Sequence, residues 1–100
     1  MPTIDIHKQD LEELVGRKFT IEELEESLKF VKGEIDGVRG HDLKIDIKAT
    51  DRPDLWNVEG IARALRAHYS KNQGIPKYSM SAPAMTINIS EKVKKVRPYI

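Results

Sequence analysis

The chain has 100 residues and a formal net charge of +1, which suits one small domain and excludes a strong attraction of the whole chain to polyanions. It contains no cysteine, so disulfides, thiol nucleophiles and thiolate metal sites are excluded. No apolar run approaches the ~20 residues of a membrane helix, and the first ten residues lack the pattern of a signal peptide. We therefore expect a soluble, cytoplasmic protein without membrane contacts.

The charges are distributed unevenly along the chain. Residues 1–59 hold 9 Lys and Arg against 15 Asp and Glu, whereas residues 60–100 hold 8 against 1. Such an asymmetry is found where a face binds an anionic partner. The simpler interpretation is that the two halves complement each other within one fold.

The first third of the chain predicts a strand followed by two helices. The stretch TIDIH alternates apolar and polar residues, which is typical of a short strand. KQDLEELVG predicts a short helix that ends at Gly16, because glycine tolerates the left-handed conformation of a helix end. In TIEELEESLKFVKG, Thr20 and Glu23 form a capping box, and we expect this second helix to end at Gly33.

A hairpin is predicted next. In EIDGVRGHDLKIDIKA the turn lies near Gly37 to Gly40, and Leu43, Ile45 and Ile47 then alternate with charged residues. This pattern predicts a strand with one face on a core and the other in water. Further along, SKNQGIPKYSMSAPAM predicts a long surface connection, and TINIS predicts a final short strand.

The stretch TDRPDLWNVEGIARAL connects the hairpin to a third helix. Pro53 cannot donate to a sheet and should end the strand, whereas Asp54 is expected to cap a turn and Asn57 to cap the helix. Gly60 lies in the first helical turn, where it suits the close approach of another backbone. The predicted buried stripe of this helix consists of Val58, Ile61, Ala62, Leu65 and Tyr69.

No residue pattern predicts catalysis. His7, His41 and His68 lack metal-ligand spacing, and the chain has neither a Gly-rich phosphate loop nor a nucleophile elbow. Asp51 and Asp54 resemble an acid–base pair, but aspartate is expected in turns and caps in any case. We therefore predict no catalytic, cofactor-binding or metal-binding residue in this chain.

Two sets of residues are candidates for binding. Trp56 offers a large π face for an interface, although a tryptophan at a helix start is more often part of the core. The second set is basic and could contact phosphates, although a solvated face is the simpler interpretation. Its members are Arg63, Arg66, Lys92, Lys94, Lys95 and Arg97.

Several motifs of the chain fall in the order found in one family. DRPDLWNVEGIARAL resembles the stretch N-R-P-D-L-L-S-V-E-G-I-A-R near the amino terminus of the beta subunit of archaeal and eukaryotic phenylalanyl-tRNA synthetase. The other similar stretches are MPTIDI, GRKFTIEELEESL, KGEIDGV, GIPKY and VKKVRPYI. Asp51 replaces the family's usual Asn, Asn57 its common Ser and Trp56 a Leu, so polar turn residues and an apolar anchor are retained.

The resemblance implies an α+β fold with three helices and small strands, similar in architecture to a winged helix but connected differently. It implies a winged-helix-like domain at residues 1–75 and, at residues 76–100, an extended connection and strand leading towards an editing domain. The implied function is a structural part of a class II enzyme of two alpha and two beta chains, which attaches phenylalanine to its tRNA with ATP and magnesium. The partners would be the alpha subunit, which holds the synthetic site, and phenylalanine tRNA, and the fragment alone is expected to be inactive.

Two alternative functions stay open at this point. The basic second half favours a stand-alone nucleic-acid-binding module, whose affinity would fall steeply with salt. Trp56, Tyr78 and the terminal RPYI favour a protein-docking module, because aromatic residues and arginine are enriched at interface hot spots.

Overall fold

The computed structural model of the protein describes residues 2–70, 74–75 and 77–97. In these residues three α-helices and a three-stranded antiparallel sheet form an α+β fold, as predicted. The elements are β1 (Thr3–His7), α1 (Lys8–Val15), α2 (Ile21–Leu28), β2 (Gly33–Arg39), β3 (Asp42–Ile47) and α3 (Val58–Tyr69). Short 3-10 helices lie at Lys29–Val31, Pro53–Leu55 and Glu91–Lys95.

The sheet has the strand order β1-β3-β2, so β1 extends the predicted hairpin on the far side of β3. Ile4 pairs with Ile45 and Ile6 pairs with Leu43. These side chains share one face of the sheet, because successive residues of a strand point to opposite faces. That face packs into the core, and β2 accommodates one extra residue, Asp36, as a bulge.

The ends of the first two helices follow from their local sequence. Gly16 ends α1 with a left-handed φ of 82°. The capping box of α2 is confirmed, since the Thr20 hydroxyl accepts from the Glu23 N–H and the Glu23 carboxylate accepts from the Thr20 N–H. The helix ends earlier than predicted, because a 3-10 turn replaces its last residues and Lys32, one residue before Gly33, adopts a left-handed φ of 53°.

The hydrophobic core lies between the helices and the inner face of the sheet. Both the strands and the helices contribute to it, which confirms the predicted stripes apart from Tyr69, whose ring is 37% exposed. The buried hydrophobic residues are Ile6, Leu11, Val15, Phe19, Leu24, Leu28, Val31, Leu43, Ile45, Ile47, Leu55, Ile61, Ala62 and Leu65. Tyr69 lies at the edge of this core, where its hydroxyl is 2.5 Å from the Oγ of buried Ser27.

The strand predicted at Thr86–Ser90 is not formed. These residues have no regular secondary structure and no ladder partner, and all five are exposed. A short alternating sequence becomes a strand only when a second strand satisfies its backbone groups, and β1–β3 do not extend to this segment. The division of the chain into residues 1–75 and 76–100 stays a prediction, and the PYI of the terminal RPYI, residues 98–100, lies outside the described residues.

Candidate interface around Trp56

The connection between β3 and α3 contains a 3-10 turn that directs the side chains of two adjacent apolar residues, Leu55 and Trp56, to different environments. The turn is closed by hydrogen bonds from the Leu55 N–H to the Arg52 carbonyl and from the Trp56 N–H to the Pro53 carbonyl. Leu55 is buried in the core, whereas Trp56 is 41% exposed. The prediction that Trp56 belongs to the core is therefore wrong, because a turn with three residues per repeat directs neighbouring side chains about 120° apart.

Gly60 holds this turn against the start of α3. A Cβ atom at Gly60 would lie 1.5 Å from the carbonyl oxygen of Asp54, so no other residue fits without displacing the backbone. The Asn57 side chain accepts a hydrogen bond of 2.8 Å from the Gly60 N–H and thereby caps the helix. Both the close backbone approach and the Asn57 cap are confirmed.

An ion pair joins two side chains of the same connection, Arg52 and Asp54. The Arg52 guanidinium donates to both carboxylate oxygens of Asp54 over 2.8 and 2.7 Å. This hydrogen bonding holds the pKa of the Asp54 carboxyl below its ordinary value, with a smaller contribution from Arg63. The predicted role of Asp54 as a turn cap is wrong, because Asp54 lies inside the 3-10 turn Pro53–Leu55, and the start of that turn has no side-chain cap hydrogen bond. We call Arg52, Asp54 and Trp56 the Trp56 turn.

The predicted basic contacts lie on two separate elements. Arg63 and Arg66 are on the exposed side of α3. The remaining four are exposed and lie at the end of the described chain, and Lys94 is paired with Glu91 at 2.8 Å. Those four are Lys92, Lys94, Lys95 and Arg97. Whether these side chains contact nucleic acid stays a prediction.

A surface cluster of aromatic residues was not anticipated from the sequence. The rings of Phe30 and His68 stack with centroids 3.8 Å apart, and Phe30 is 61% exposed. On the other side of His68, the Arg17 guanidinium lies 4.5 Å from the centre of the Tyr69 ring. The available signal was Phe30 itself, because it is two residues past Leu28 and therefore falls outside the apolar stripe of α2.

The described part of the chain offers little for metal chemistry or membrane insertion. Across residues 2–70, 74–75 and 77–97, His, Asp and Glu form no group of three or more that could hold a metal ion. Within the same ranges, every helix is too short or too polar to cross a membrane.

Comparison with known proteins shows similarity over almost the whole chain. The phenylalanine–tRNA ligase beta subunit of Pyrococcus horikoshii is 42% identical over 103 residues, which cover 99% of this chain and 18% of the relative. The same subunit of Thermococcus gammatolerans is 43% identical, again over 99% of this chain and 18% of the relative. The subunit of Methanosarcina acetivorans is 36% identical over 100% of this chain and 18% of the relative. No family model matches the chain.

A solved structure agrees with these relatives. The crystal structure of an N-terminal fragment of the phenylalanyl-tRNA synthetase beta subunit from Pyrococcus horikoshii has a TM-score of 0.75 and 41% identity, and the match covers 98% of this chain and 29% of that one. Fold and sequence together define a homologue of an aminoacyl-tRNA synthetase subunit. More narrowly, the chain is a homologue of the N-terminal region of the archaeal phenylalanine–tRNA ligase beta subunit. It spans 18% of the length of the curated relatives it matches.

Proposed function

We propose that this chain is the N-terminal structural domain of a phenylalanine–tRNA ligase beta subunit and acts in the cytoplasm as part of that enzyme. The whole enzyme would contain two alpha and two beta chains and would attach phenylalanine to its tRNA with ATP and magnesium. The alpha subunit would supply the synthetic site. The domain described above would contribute a folded unit and a surface for assembly rather than a reacting group.

The observation that supports this proposal is the extent of the match. Identity of 42% runs over 99% of the chain, and the similarity of the backbone, with a TM-score of 0.75, covers 98% of it. The chain therefore does not share only an isolated motif with these relatives. The joint of Pro53, Asn57 and Gly60 has a structural explanation in hydrogen bonds and steric fit, which agrees with an architectural role.

The first test is the gene itself, followed by an activity assay. Reading the frame beyond the codon of Ile100 shows whether several hundred further codons follow. The beta subunit so defined, purified with its alpha subunit, is expected to charge phenylalanine tRNA, whereas the isolated 100-residue chain is expected to show neither charging nor deacylation. A stop codon after Ile100, or turnover by the isolated chain, would contradict the proposal.

A docking role for the Trp56 turn is a second candidate, because Trp56 is 41% exposed and tryptophan and arginine, here Arg52 of the same turn, are enriched at interface hot spots. Trp56→Ala is expected to leave the fold of the isolated chain intact and to weaken assembly of the whole enzyme. Phe30→Ala is the matched control, since that ring is also exposed, at 61%, but lies in the aromatic cluster. Unfolding of the Trp56 variant would instead assign this residue to the core.

A further inference from the structure

The last part of the described chain carries large apolar side chains of the kind found at interfaces, but these side chains are exposed. We call residues 77–97 the arm. Its residues are exposed apart from half-buried Val93. Its large apolar side chains have between 49% and 97% of their surface in solvent, which is unusual for a protein surface. They are Tyr78, Met80, Met85, Ile87, Ile89 and Val96.

The dimensions of the molecule show that the arm lies away from the core. The radius of gyration is 16.9 Å, whereas a compact chain of this length has about 13 Å. The core closes without the arm, because its buried hydrophobic residues all lie between Ile6 and Leu65. The arm is therefore not needed to complete the fold from which it extends.

The centre of the arm has the sequence of a one-sided strand. In Thr86–Ser90, Ile87 and Ile89 alternate with polar residues, so an extended backbone directs both isoleucines to the same side. The backbone of Ser90 is extended, with φ −65° and ψ 137°, and none of the five residues has a partner strand. An extended segment with alternating side chains can bind by adding a strand to an exposed sheet edge, where main-chain hydrogen bonds give affinity and apolar pockets give specificity.

The comparison with the solved fragment indicates what covers the arm. The match includes 98% of this chain, so it includes the arm, yet it covers only 29% of the solved fragment. Most of the arm is therefore aligned with a segment of a much longer chain. Ordering an extended segment costs about 1–2 kcal/mol of backbone entropy per residue, so an ordered arm needs compensating contacts, and the additional polypeptide of the longer chain can supply them.

From these observations we infer that the arm docks on the downstream part of the same polypeptide, with residues 86–90 as an added edge strand and with Ile87 and Ile89 buried against it. This inference rests on the proposed function, because it requires the longer beta subunit. It changes the interpretation of the arm from a passive connection to a surface that fixes the N-terminal domain relative to the rest of the subunit.

Hydrogen–deuterium exchange tests the inference on two proteins, the isolated 100-residue chain and the full beta subunit in its complex with the alpha subunit. In the isolated chain the amides of residues 86–90 should exchange at the unprotected rate. In the complex their exchange should slow by about 100-fold or more, as for hydrogen-bonded strands. Equal rates in the two proteins would overturn the inference. So would protection in the isolated chain, whether constant or rising with concentration, because the arm would then bind its own core or a second copy.

Two double variants of the full subunit test the side that is buried. Ile87→Asp with Ile89→Asp should abolish the protection of residues 86–90. Thr86→Asp with Asn88→Asp adds the same charge on the opposite side and should retain at least about half of the protected amides, because a sheet with one buried face leaves its other face in water. Equal loss of protection in both double variants would overturn the assignment of a one-sided strand.

Failure of this inference differs from failure of the proposed function. If the complex charges tRNA while residues 86–90 exchange freely, the docking of the arm is wrong and the proposed function stands. If the complex does not charge tRNA, the proposed function is wrong whatever the exchange shows. Hydrogen–deuterium exchange is the first measurement on these variants, since none of the four substituted residues belongs to a reacting site.

Discussion

The domain formed by residues 2–70 and the arm formed by residues 77–97 carry apolar residues of the same types and use them differently. In the domain, isoleucines of β1 and β3 meet across the ladder and pack against the helices. In the arm, Ile87 is 77% exposed and has no ladder partner. The difference teaches that an alternating sequence specifies which side of a strand is apolar, whereas the presence of the strand depends on a partner.

The largest expected difference between the two regions is the stability lost when a large apolar side chain is shortened to alanine. Leu65→Ala in the isolated chain should lower the free energy of unfolding by about 2–5 kcal/mol, because Leu65 is fully buried between helix and sheet. Ile87→Ala in the arm should change it by less than about 0.5 kcal/mol. Urea denaturation of both variants measures this. Similar losses in the two variants would show that the arm packs on the domain.

Gly60→Ala tests the joint within the domain. The added methyl group would collide with the Asp54 carbonyl, so the 3-10 turn must move away from α3 and stability should fall by about 3 kcal/mol, the upper end for overpacking. Gly37→Ala is the matched control, because the new Cβ would lie 3.7 Å from the nearest atom, the Lys44 Cβ, which is an ordinary contact. That variant should stay within about 1 kcal/mol of the parent. A neutral Gly60→Ala would contradict the close approach.

A smaller effect is expected at the start of α2. Thr20→Ala removes the hydroxyl that accepts from the Glu23 N–H and should cost about 1 kcal/mol. Thr86→Ala makes the same chemical change in the exposed arm and should be nearly neutral in the isolated chain. Thermal unfolding of the two variants provides the comparison. If Thr86→Ala were as costly, the arm would already be structured by contacts within this chain.

Much of the domain could be predicted because its signals are local. The capping box of Thr20 and Glu23, the Asn57 cap and the need for glycine at position 60 each involve residues within six positions of one another. The wrong predictions concern the direction in which a side chain points, or a partner that is distant in the sequence. Leu55 and Trp56 are both apolar, and only the 3-10 geometry of the turn decides which is buried.

The candidate site was harder to predict than the fold for the same reason. The stacking of Phe30 on His68 joins two helical segments that are far apart in sequence, so no local sequence pattern predicts it. The basic residues were identifiable by composition, but their distribution over α3 and the arm follows from tertiary structure. The alternation in Thr86–Ser90 predicts the apolar side of a strand, but the strand forms only with a partner, which β1 finds in β3 and this segment does not find among the described residues.

The smallest expected effect concerns the Glu12 carboxylate, which connects α1 to the loop before α2. Glu12 accepts a hydrogen bond from the Lys8 ammonium group and one of 2.9 Å from the Phe19 N–H, and these lower the pKa of its carboxyl below the ordinary 4.5. A carboxyl whose pKa is lower in the folded state stabilises the fold at pH values above its unfolded-state pKa. This contribution is lost as the pH falls through the folded-state pKa. Glu12→Gln keeps an acceptor oxygen but removes the charge, so it should cost about 0.5 kcal/mol at neutral pH, the lower end for a hydrogen bond. The difference from the parent should shrink towards zero as the pH falls below 4.5 and through the folded-state pKa, since the parent carboxyl then also becomes neutral. Urea titrations across this range measure the trend, and a difference that does not change with pH would show that Glu12 acts through packing rather than through its charge.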